Sequence, residues 1–374
     1  MKALFLIFHG FEEGNGISKK IRYQIKALKE CGLDVSICYM TEDASGGKKR
    51  IVDDKVLIDY GNGIKGKIYK RIEFNSIARY VLENQIKFVY MRCYQNANPF
   101  LISMVRKIKK SGAKIVMEIP TYPYDQEYIT LPMKAELCID RCFRKRLAKH
   151  LDAIVTFTEY SSIFGAKTIC ISNGIDFEYI KKKSTINDTS TELHLIGVAE
   201  IHYWHGFDRL IKGMVEYYKK DPDYKVYFHV VGDFSGEREK QDILPLIDNN
   251  NLNKYVILYG KQHGEKLDDI FDSCDMGIGS LGRHRSGITN IKTLKNREYA
   301  ARGIPFIYSE TDSDFDLQSY VLKEPADESS INIDELIAFY KNKKWNVDEI
   351  RDSIKHLSWN EQISKVVNNT ITNI

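Results

Sequence analysis

Short apolar runs alternate with longer stretches in which apolar residues recur every three or four positions, and the alternation continues along the chain. ALFLIF predicts a buried strand, and Ile17–Cys31, with Ile21, Ile25 and Leu28 at helical spacing, predicts a helix. VSICYM, KFVYM, KIVMEI and AIVTFT follow as strands, with helices over Pro99–Lys110 and Lys134–Leu151, and TICISNGIDF runs from a strand into an Asn-Gly turn. Lys181–Thr191 has no apolar periodicity and several Ser and Thr, and reads as a linker. The alternation then restarts: ELHLIGVAEI, KVYFHVVGD, YVILYG, DMGIGS and IPFIYS as strands, with helices over Phe207–Tyr218, around Leu267–Phe271 and over Lys292–Ala301. Beyond Trp345, DEIRDSIKHL and NEQISKVVNNTI read as two helices. The expected class is α/β: two doubly wound Rossmann-like domains in series, with a cleft lined by the carboxyl ends of their strands.

Composition changes this picture little. The 374 residues are 43% hydrophobic and 28% charged, as in an ordinary globular protein, and no apolar run approaches the roughly 20 residues of a membrane helix. MKALFLIFHG has an apolar core but leads into His9, Gly10 and acidic residues rather than a small-residue cleavage site, so it reads as a first strand. Seven scattered cysteines without a CxxC pair indicate neither a disulfide framework nor a zinc site, and a reducing cytoplasm is the expected location. The net charge of +4 hides an asymmetry. Residues 1–180 hold 29 Lys and Arg against 20 Asp and Glu, whereas the remainder holds 26 against 31. A basic first half and an acidic second half fit two domains with different partners.

Chemistry concentrates where strands end. In HGFEEGNGIS, between the first strand and first helix, Gly10, Gly14 and Gly16 let backbone approach a ligand at a helix N-terminus; a plain glycine-rich turn is the alternative. The loop is not GxGxxG, and no acidic residue follows at ribose-binding spacing, which argues against a dinucleotide. VVGDFSG and LYGK each put a glycine directly after a buried strand, Gly232 in the first and the glycine before Lys261 in the second. In SGITNIKTLKNREYAARGIPFI, Glu298 is either a solvated helix charge or a carboxylate aimed at the cleft, where it would accept both hydroxyls of a ribose. Arg283, Arg285, Lys292 and Lys295 make a basic cluster suited to a diphosphate, the alternative being a solvated face. EIPTYPYDQEY follows a strand, so Glu118 and Asp125 are candidates for ordering hydroxyls or moving a proton, the alternative for Glu118 being a structural strand-end carboxylate, and Tyr122 and Tyr124 are candidates for stacking on a ring. His9 is an acceptor-side candidate or a core histidine. The D-x-D spellings Asp312-Ser-Asp314 and Asp314-Phe-Asp316 read as a polar surface loop rather than a metal site. RCFRKRLAKHL sets Phe143, Leu147 and Leu151 on one stripe among cations, so Arg141–Leu151 is either an anionic-membrane surface or an ordinary helix with snorkelling cations. No nucleic-acid module is present, and no nucleic-acid partner is expected.

Glu298-Tyr-Ala-Ala-Arg-Gly303-Ile-Pro305 resembles the E-x-x-A-x-G-x-P segment of retaining glycosyltransferases of the GT-B fold, family four. Ser172–Asp176 (SNGID) looks like their interdomain turn, Ile201–Lys212 (IHYWHGFDRLIK) resembles their KG-x-x-x-L-I segment, and Gly232-Asp233 their G-x-G/GD loop. Gly14-Asn15-Gly16-Ile17 stands where they carry the first glycine loop, and capsule and polysaccharide enzymes with a W-H-G-[FY]-D-R-L variant look closest. The resemblance spans nearly the whole chain. It implies a GT-B fold with domains at 1–183 plus about 356–374 and at 190–355, a linker at about 181–191, and a last helix crossing back to the first domain. It implies sugar transfer with retention from a UDP- or GDP-sugar to a glycan or lipid-linked glycan, with no metal and no cofactor, the alternatives being a catalytically silent binding protein or a nucleotide-sugar epimerase of the same fold. Donor-side residues would be Gly14, Gly16, His205, Gly232, Lys261, Arg285, Lys292, Lys295 and Glu298. The sequence departs from the pattern at three points: Asn290 replaces the first of two glutamates eight positions apart, and Glu200 and His205 stand where the family grips the diphosphate with Arg and Lys.

Overall fold

A computed structural model describes residues 1–10, 16–93, 96–125, 128, 130–184 and 187–371. The chain forms two compact units, Met1–Ser172 with Trp359–Ile374, and Asn173–Ser358.

Unit 1 is built on parallel strands β1 (Lys2–Leu6), β2 (Asp34–Glu42), β5 (Phe88–Arg92), β6 (Lys114–Ile119), β7 (Ala153–Thr156) and β9 (Ala166–Cys170). A hairpin of β3 (Lys48–Val52) and β4 (Lys55–Gly61) extends one edge and β8 (Ser162–Ile163) the other, giving the order β4-β3-β2-β1-β5-β6-β7-β9-β8. Successive side chains of a strand point to opposite faces, so β1 feeds two cores. Leu4 and Leu6 join Val89, Met91, Met104 and Ile115 on one side. Phe5 and Ile7 join Ile21, Leu28, Val116 and Trp359 on the other. Helices α1 (Gly16–Glu30), α2 (Gly63–Ile72), α3 (Asn75–Glu83), α4 (Pro99–Lys110), α5 (Leu131–Ala148) and α12 (Trp359–Thr370) cover the sheet edges and faces. The start of α4 is fixed by Asn98, whose side chain accepts from the N–H groups of Phe100 and Leu101 at 2.9 Å, and by Pro99 in the first turn.

Unit 2 has an all-parallel sheet of order β12-β11-β10-β13-β14-β15, made of β10 (Glu192–Val198), β11 (Lys225–Val231), β12 (Val256–Leu258), β13 (Met276–Ile278), β14 (Phe306–Tyr308) and β15 (Val321–Lys323). Its helices are α6 (Phe207–Tyr218), α7 (Glu237–Asp248), α8 (Glu265–Asp272), α9 (Leu294–Arg302), α10 (Ile333–Lys341) and α11 (Val347–Ser353). β11 and β13 flank β10 on its two sides, so the winding direction changes between β10 and β13, the position where open α/β sheets hold ligands.

The stretch expected to link the domains is docked on unit 2. Lys183 Nζ donates to the carbonyls of Asp272 and Cys274 at 2.6 Å, and Ser184 bonds Asp272 through N–H and hydroxyl. These ties are polar, so no apolar periodicity announces them. The aspartates of D-x-D are not a surface loop either. Asp312 is fully buried and receives Arg297 at 2.6 and 3.0 Å and Asn296 Nδ2 at 3.1 Å.

Candidate functional site

The carboxyl edge of the unit 2 sheet gathers the groups with unused chemistry. After β10 the chain makes a turn at Tyr203–His205, and after β13 a second turn at Arg283–Ser286. The two are laced together. Leu281 N–H donates to His205 O at 2.9 Å, Arg285 Nη1 to Tyr203 O at 2.8 Å, and the Arg283 guanidinium lies 5.2 Å from the Trp204 ring centre. Gly206 joins the first turn to α6 with φ +66, and a Cβ there would lie 2.6 Å from Leu281 backbone, so only glycine lets the turns approach this closely. Gly232, at the end of β11, is tighter: with φ +131, its Cβ would fall 1.7 Å from Ala199 O. This glycine is required by strand-end packing, whatever else it serves.

Lys295 sits one residue inside α9, whose start is capped by Thr293. Its stem is partly exposed, but Nζ is buried and has no hydrogen-bond partner among the described residues. Burial, reinforced by Arg283 and opposed by Glu310, pushes its ammonium down from 10.5 to about 7. Three further buried atoms on the same edge also lack partners among the described residues: Ser280 Oγ after β13, Glu310 Oε2 after β14, and Asn296 Oδ1 beside Lys295. Natural proteins seldom leave such groups unsatisfied without a ligand or ordered water. His205, 8% exposed, accepts His202 N–H on Nδ1 at 3.1 Å, so its proton is on Nε2. Burial, with Lys295 and Arg283 adding repulsion, holds it well below the ordinary value and therefore neutral at physiological pH. It offers an N–H donor, not a cation. Glu200 is exposed.

Other donor-side expectations fare differently. Arg285 is spent: its N–H groups bind both Asp208 oxygens at 2.8 and 3.0 Å, both Glu328 oxygens at 2.9 and 2.6 Å, and Tyr203 O. A guanidinium has five N–H donors, and all are engaged, so Arg285 is a brace for the two turns rather than a phosphate ligand. Lys292 Nζ donates to Ser313 Oγ at 2.7 Å and Asp314 at 2.9 Å. Lys261 is exposed after β12, and Asn290 is exposed with Nδ2 3.4 Å from Thr289 Oγ1. Glu298 holds Arg302 through Oε1 at 3.1 and 3.0 Å, and Arg302 in turn reaches Asp268 at 2.9 Å. Glu298 Oε2 has no partner among the described residues and the side chain is 25% exposed, so one oxygen is anchored and the other open. Gly14 lies outside the described residues, and Gly16 is the first residue of α1.

Unit 1 overturns the catalytic expectation for Glu118. It is fully buried, receives Gln24 Nε2 at 2.5 Å, Tyr90 OH at 2.6 Å and Arg92 at 2.8 Å, and lies 3.4 Å from Lys20. Burial alone would raise its carboxyl, but Lys20 and Arg92 outweigh this and lower it. With both oxygens occupied, Glu118 ties β5, β6 and α1 together and has no face for a substrate. Tyr124 is 1% exposed and donates to the buried Asp140 at 2.7 Å, so it cannot stack on a sugar. Tyr122 is half-buried, edge-on to Tyr160 and Phe164. Asp125 is clamped by Arg144 and Arg141 at 2.7 Å each, and those bonds hold its carboxyl below the usual range, making it a poor base. His9 Nδ1 is 2.8 Å from Gly10 O. Along Arg141–Leu151 the apolar stripe faces inward: Leu147 is 2% exposed, and Phe143 and Leu151 pack on the core. Leu147 is therefore closed to a membrane, and Phe143 and Leu151 are only partly exposed.

Lys295 is a candidate in the sequence as a cation of the basic cluster, whereas Ser280 and Glu310 are legible only as positions at the end of DMGIGS and just past IPFIYS. The signal was the strand end itself, where side chains of a parallel sheet converge.

No family model matches the chain, and no curated protein matches it. Solved structures do. Sucrose-phosphate synthase from Thermosynechococcus elongatus aligns over 98% of this chain and 97% of its own, at 12% identity and TM-score 0.65. Starch Synthase IV from Arabidopsis thaliana, bound to ADP and acarbose, aligns over 98% of both chains at 12% identity and TM-score 0.64. HepE from Anabaena, in complex with UDP, aligns over 98% of this chain and 100% of its own at 12% identity and TM-score 0.63. The chain therefore has the fold of the GT-B glycosyltransferases, two Rossmann-like units matched end to end.

Proposed function

We propose that this protein is a retaining glycosyltransferase that moves a hexose-type sugar from a UDP- or GDP-sugar to a glycan or lipid-linked glycan in polysaccharide synthesis. The observation that carries the reading is the buried, unpartnered Lys295 ammonium at the carboxyl edge of β10 and β13. A diphosphate supplies the acceptor that Lys295 Nζ lacks among the described residues, the neutral His205 offers an N–H donor on the same edge, and the start of α9 adds its positive dipole end. Structures of the same fold are complexes with UDP, UDP-glucose and ADP, which supports a nucleotide diphosphate here. In this reading Glu298 accepts the donor ribose hydroxyls on Oε2 while Arg302 fixes the other oxygen. Asn290 bonds a hydroxyl of the donor sugar. Gly232 and Lys261 border the nucleoside.

The anomeric carbon loses its bond to the diphosphate and gains one to the acceptor oxygen on the same face. The acceptor proton passes to the departing diphosphate oxygen, so no strong protein base is needed. This fits a unit 1 in which Glu118 is buried and Asp125 is locked in ion pairs. The reaction as proposed uses no metal.

Calorimetric titration with UDP, GDP and ADP, on wild type and Glu298→Ala, tests the reading. One diphosphate binding in the micromolar range, with loss of about tenfold or more in the variant, supports it. No binding of any nucleotide would sink it. A second reading, a catalytically silent binding protein, is favoured by Asn290, which removes a charge, and by Glu200, which reverses one, where the related pattern has them. Release of free sugar or transfer from the bound donor excludes that alternative.

A further inference from the structure

Helix α2 (Gly63–Ile72, GIKGKIYKRI) presents its apolar side to solvent. Ile64, Ile68 and Ile72 recur every fourth residue and are 76%, 54% and 38% exposed. The only buried residue of the helix is Gly66, seated so closely on β4 that a Cβ would meet Gly61 O at 2.5 Å. At 100° per residue Ile68 lies ~160° round the helix from Gly66, so the isoleucine stripe points away from the body of the unit. The helix also has no side-chain N-cap bond from Asn62. A ten-residue helix with two glycines gains little from propensity, and helices this short normally owe their stability to burying an apolar face. Here that face has no cover among the described residues.

Cations border the stripe. Lys65 lies on one side, with Lys67 and Arg71 on the other, and the helix has no acidic residue. Helix α5 is tied to the end of α2 by the Arg71–Glu136 ion pair, and α4 by Asn98 Nδ2 donating to Arg71 O at 3.4 Å. Those two helices add further exposed apolar side chains at their first turns, Phe100 at 49% and Leu131 at 83%.

We propose that the Ile64–Ile68–Ile72 face of α2 docks on the surface of an anionic lipid bilayer. Aliphatic side chains enter the acyl boundary while the lysine and arginine stems snorkel to the headgroups, the arrangement of an interfacial helix. Charge decides the occupant. A second copy of the chain would set Lys65, Lys67 and Arg71 of one α2 against the same cations of the other, whereas anionic headgroups neutralise them. The membrane surface is thus α2, not the Arg141–Leu151 segment whose stripe is buried.

The test is co-sedimentation of the full chain with vesicles of phosphatidylcholine alone and of an equal mixture with phosphatidylglycerol. Binding is expected to the anionic vesicles only and to weaken with salt. Ile64→Ser with Ile68→Ser should lower partitioning by about tenfold or more, and Lys65→Gln with Lys67→Gln and Arg71→Gln should erase the preference for anionic lipid. All five side chains are exposed and the Arg71–Glu136 pair lies at the surface, so thermal unfolding should change little. Arg141→Gln with Lys145→Gln should bind as wild type. Failure of the wild type to bind anionic vesicles overturns the proposal, as does undiminished binding by the serine variant or loss of binding confined to the α5 variant. A concentration-dependent dimer abolished by the serine substitutions also overturns it, by assigning the face to a second copy. Nucleotide titration of the serine variant should match wild type, which keeps this surface separable from the donor site.

Discussion

Replacing Lys295 by Met should make the protein more stable and worse at binding nucleotide. The ammonium is buried without a hydrogen bond among the described residues, and its pKa falls from 10.5 to about 7. Between those values the unfolded chain holds a proton that the folded chain has released, so the penalty on folding is full below pH 7 and fades as pH rises towards 10.5. At pH 8 the remaining gap to 10.5, at ~1.4 kcal/mol per pH, is about 3 kcal/mol, and at pH 6 the penalty approaches about 5 kcal/mol. Methionine matches the stem and removes the charge, so urea unfolding at pH 8 should show a gain of about 1–3 kcal/mol after some loss of packing. The gain should be larger at pH 6 and vanish near pH 10.5. Nucleotide affinity should move oppositely. Wild type should bind UDP or its preferred diphosphate more tightly at pH 6.5 than at pH 8.5, taking up a proton on binding, while Lys295→Met binds about tenfold or more weakly with a flat pH profile. A variant less stable than wild type at pH 6 would mean that the ammonium is satisfied in the folded protein. Unchanged affinity would remove Lys295 from the donor site.

Arg285→Ala should lose about 2–4 kcal/mol of stability, because Asp208 loses its main buried partner, yet keep nucleotide affinity within about threefold; a large loss of affinity with normal folding would return Arg285 to the ligand set. Asp312→Asn should cost about 3–5 kcal/mol in denaturant unfolding, since it leaves the fully buried Arg297 with a weakened counter-charge, and an effect under about 1 kcal/mol would show the pair to be dispensable. Glu118→Gln should likewise lower stability, strongly at pH 7 and less as pH falls through the carboxyl's lowered titration range, while any residual transferase activity per folded molecule stays near wild type. A selective loss of turnover in that variant would restore a chemical role to Glu118.

Much of the fold was readable because buried parallel strands are nearly continuous apolar runs and the helices between them keep their periodicity. β1, β5, β6, β10 and β11 fall where the pattern puts them. α2 escaped because GIKGKIYKRI is lysine-rich and mostly exposed, so no buried face disciplines its sequence, and β3 escaped because KKRIV buries a cation, Arg50, beside Val52 and so does not read as an apolar run. At the site the limits were chemical. Arg285 and Lys295 are cations of the same short segment and look alike in one dimension. Asp208 and Glu328, 77 and 43 residues away, consume the first, while the second has no hydrogen-bond partner among the described residues.

By itself the sequence determined the α/β class, the serial repetition of a wound sheet, and the strand ends at which any site must be built, because all three follow from the period of apolar residues and the turn chemistry between them. Only the tertiary structure decided which charges are spent and which are held in reserve. It buried Glu118 and Asp312 in ion pairs, saturated Arg285, left Lys295 unpaired, turned the stripe of α5 inward and the stripe of α2 outward. The reason is physical: a charge or an apolar face has a role only relative to its partner, and those partners are brought close by folding rather than by position in the chain.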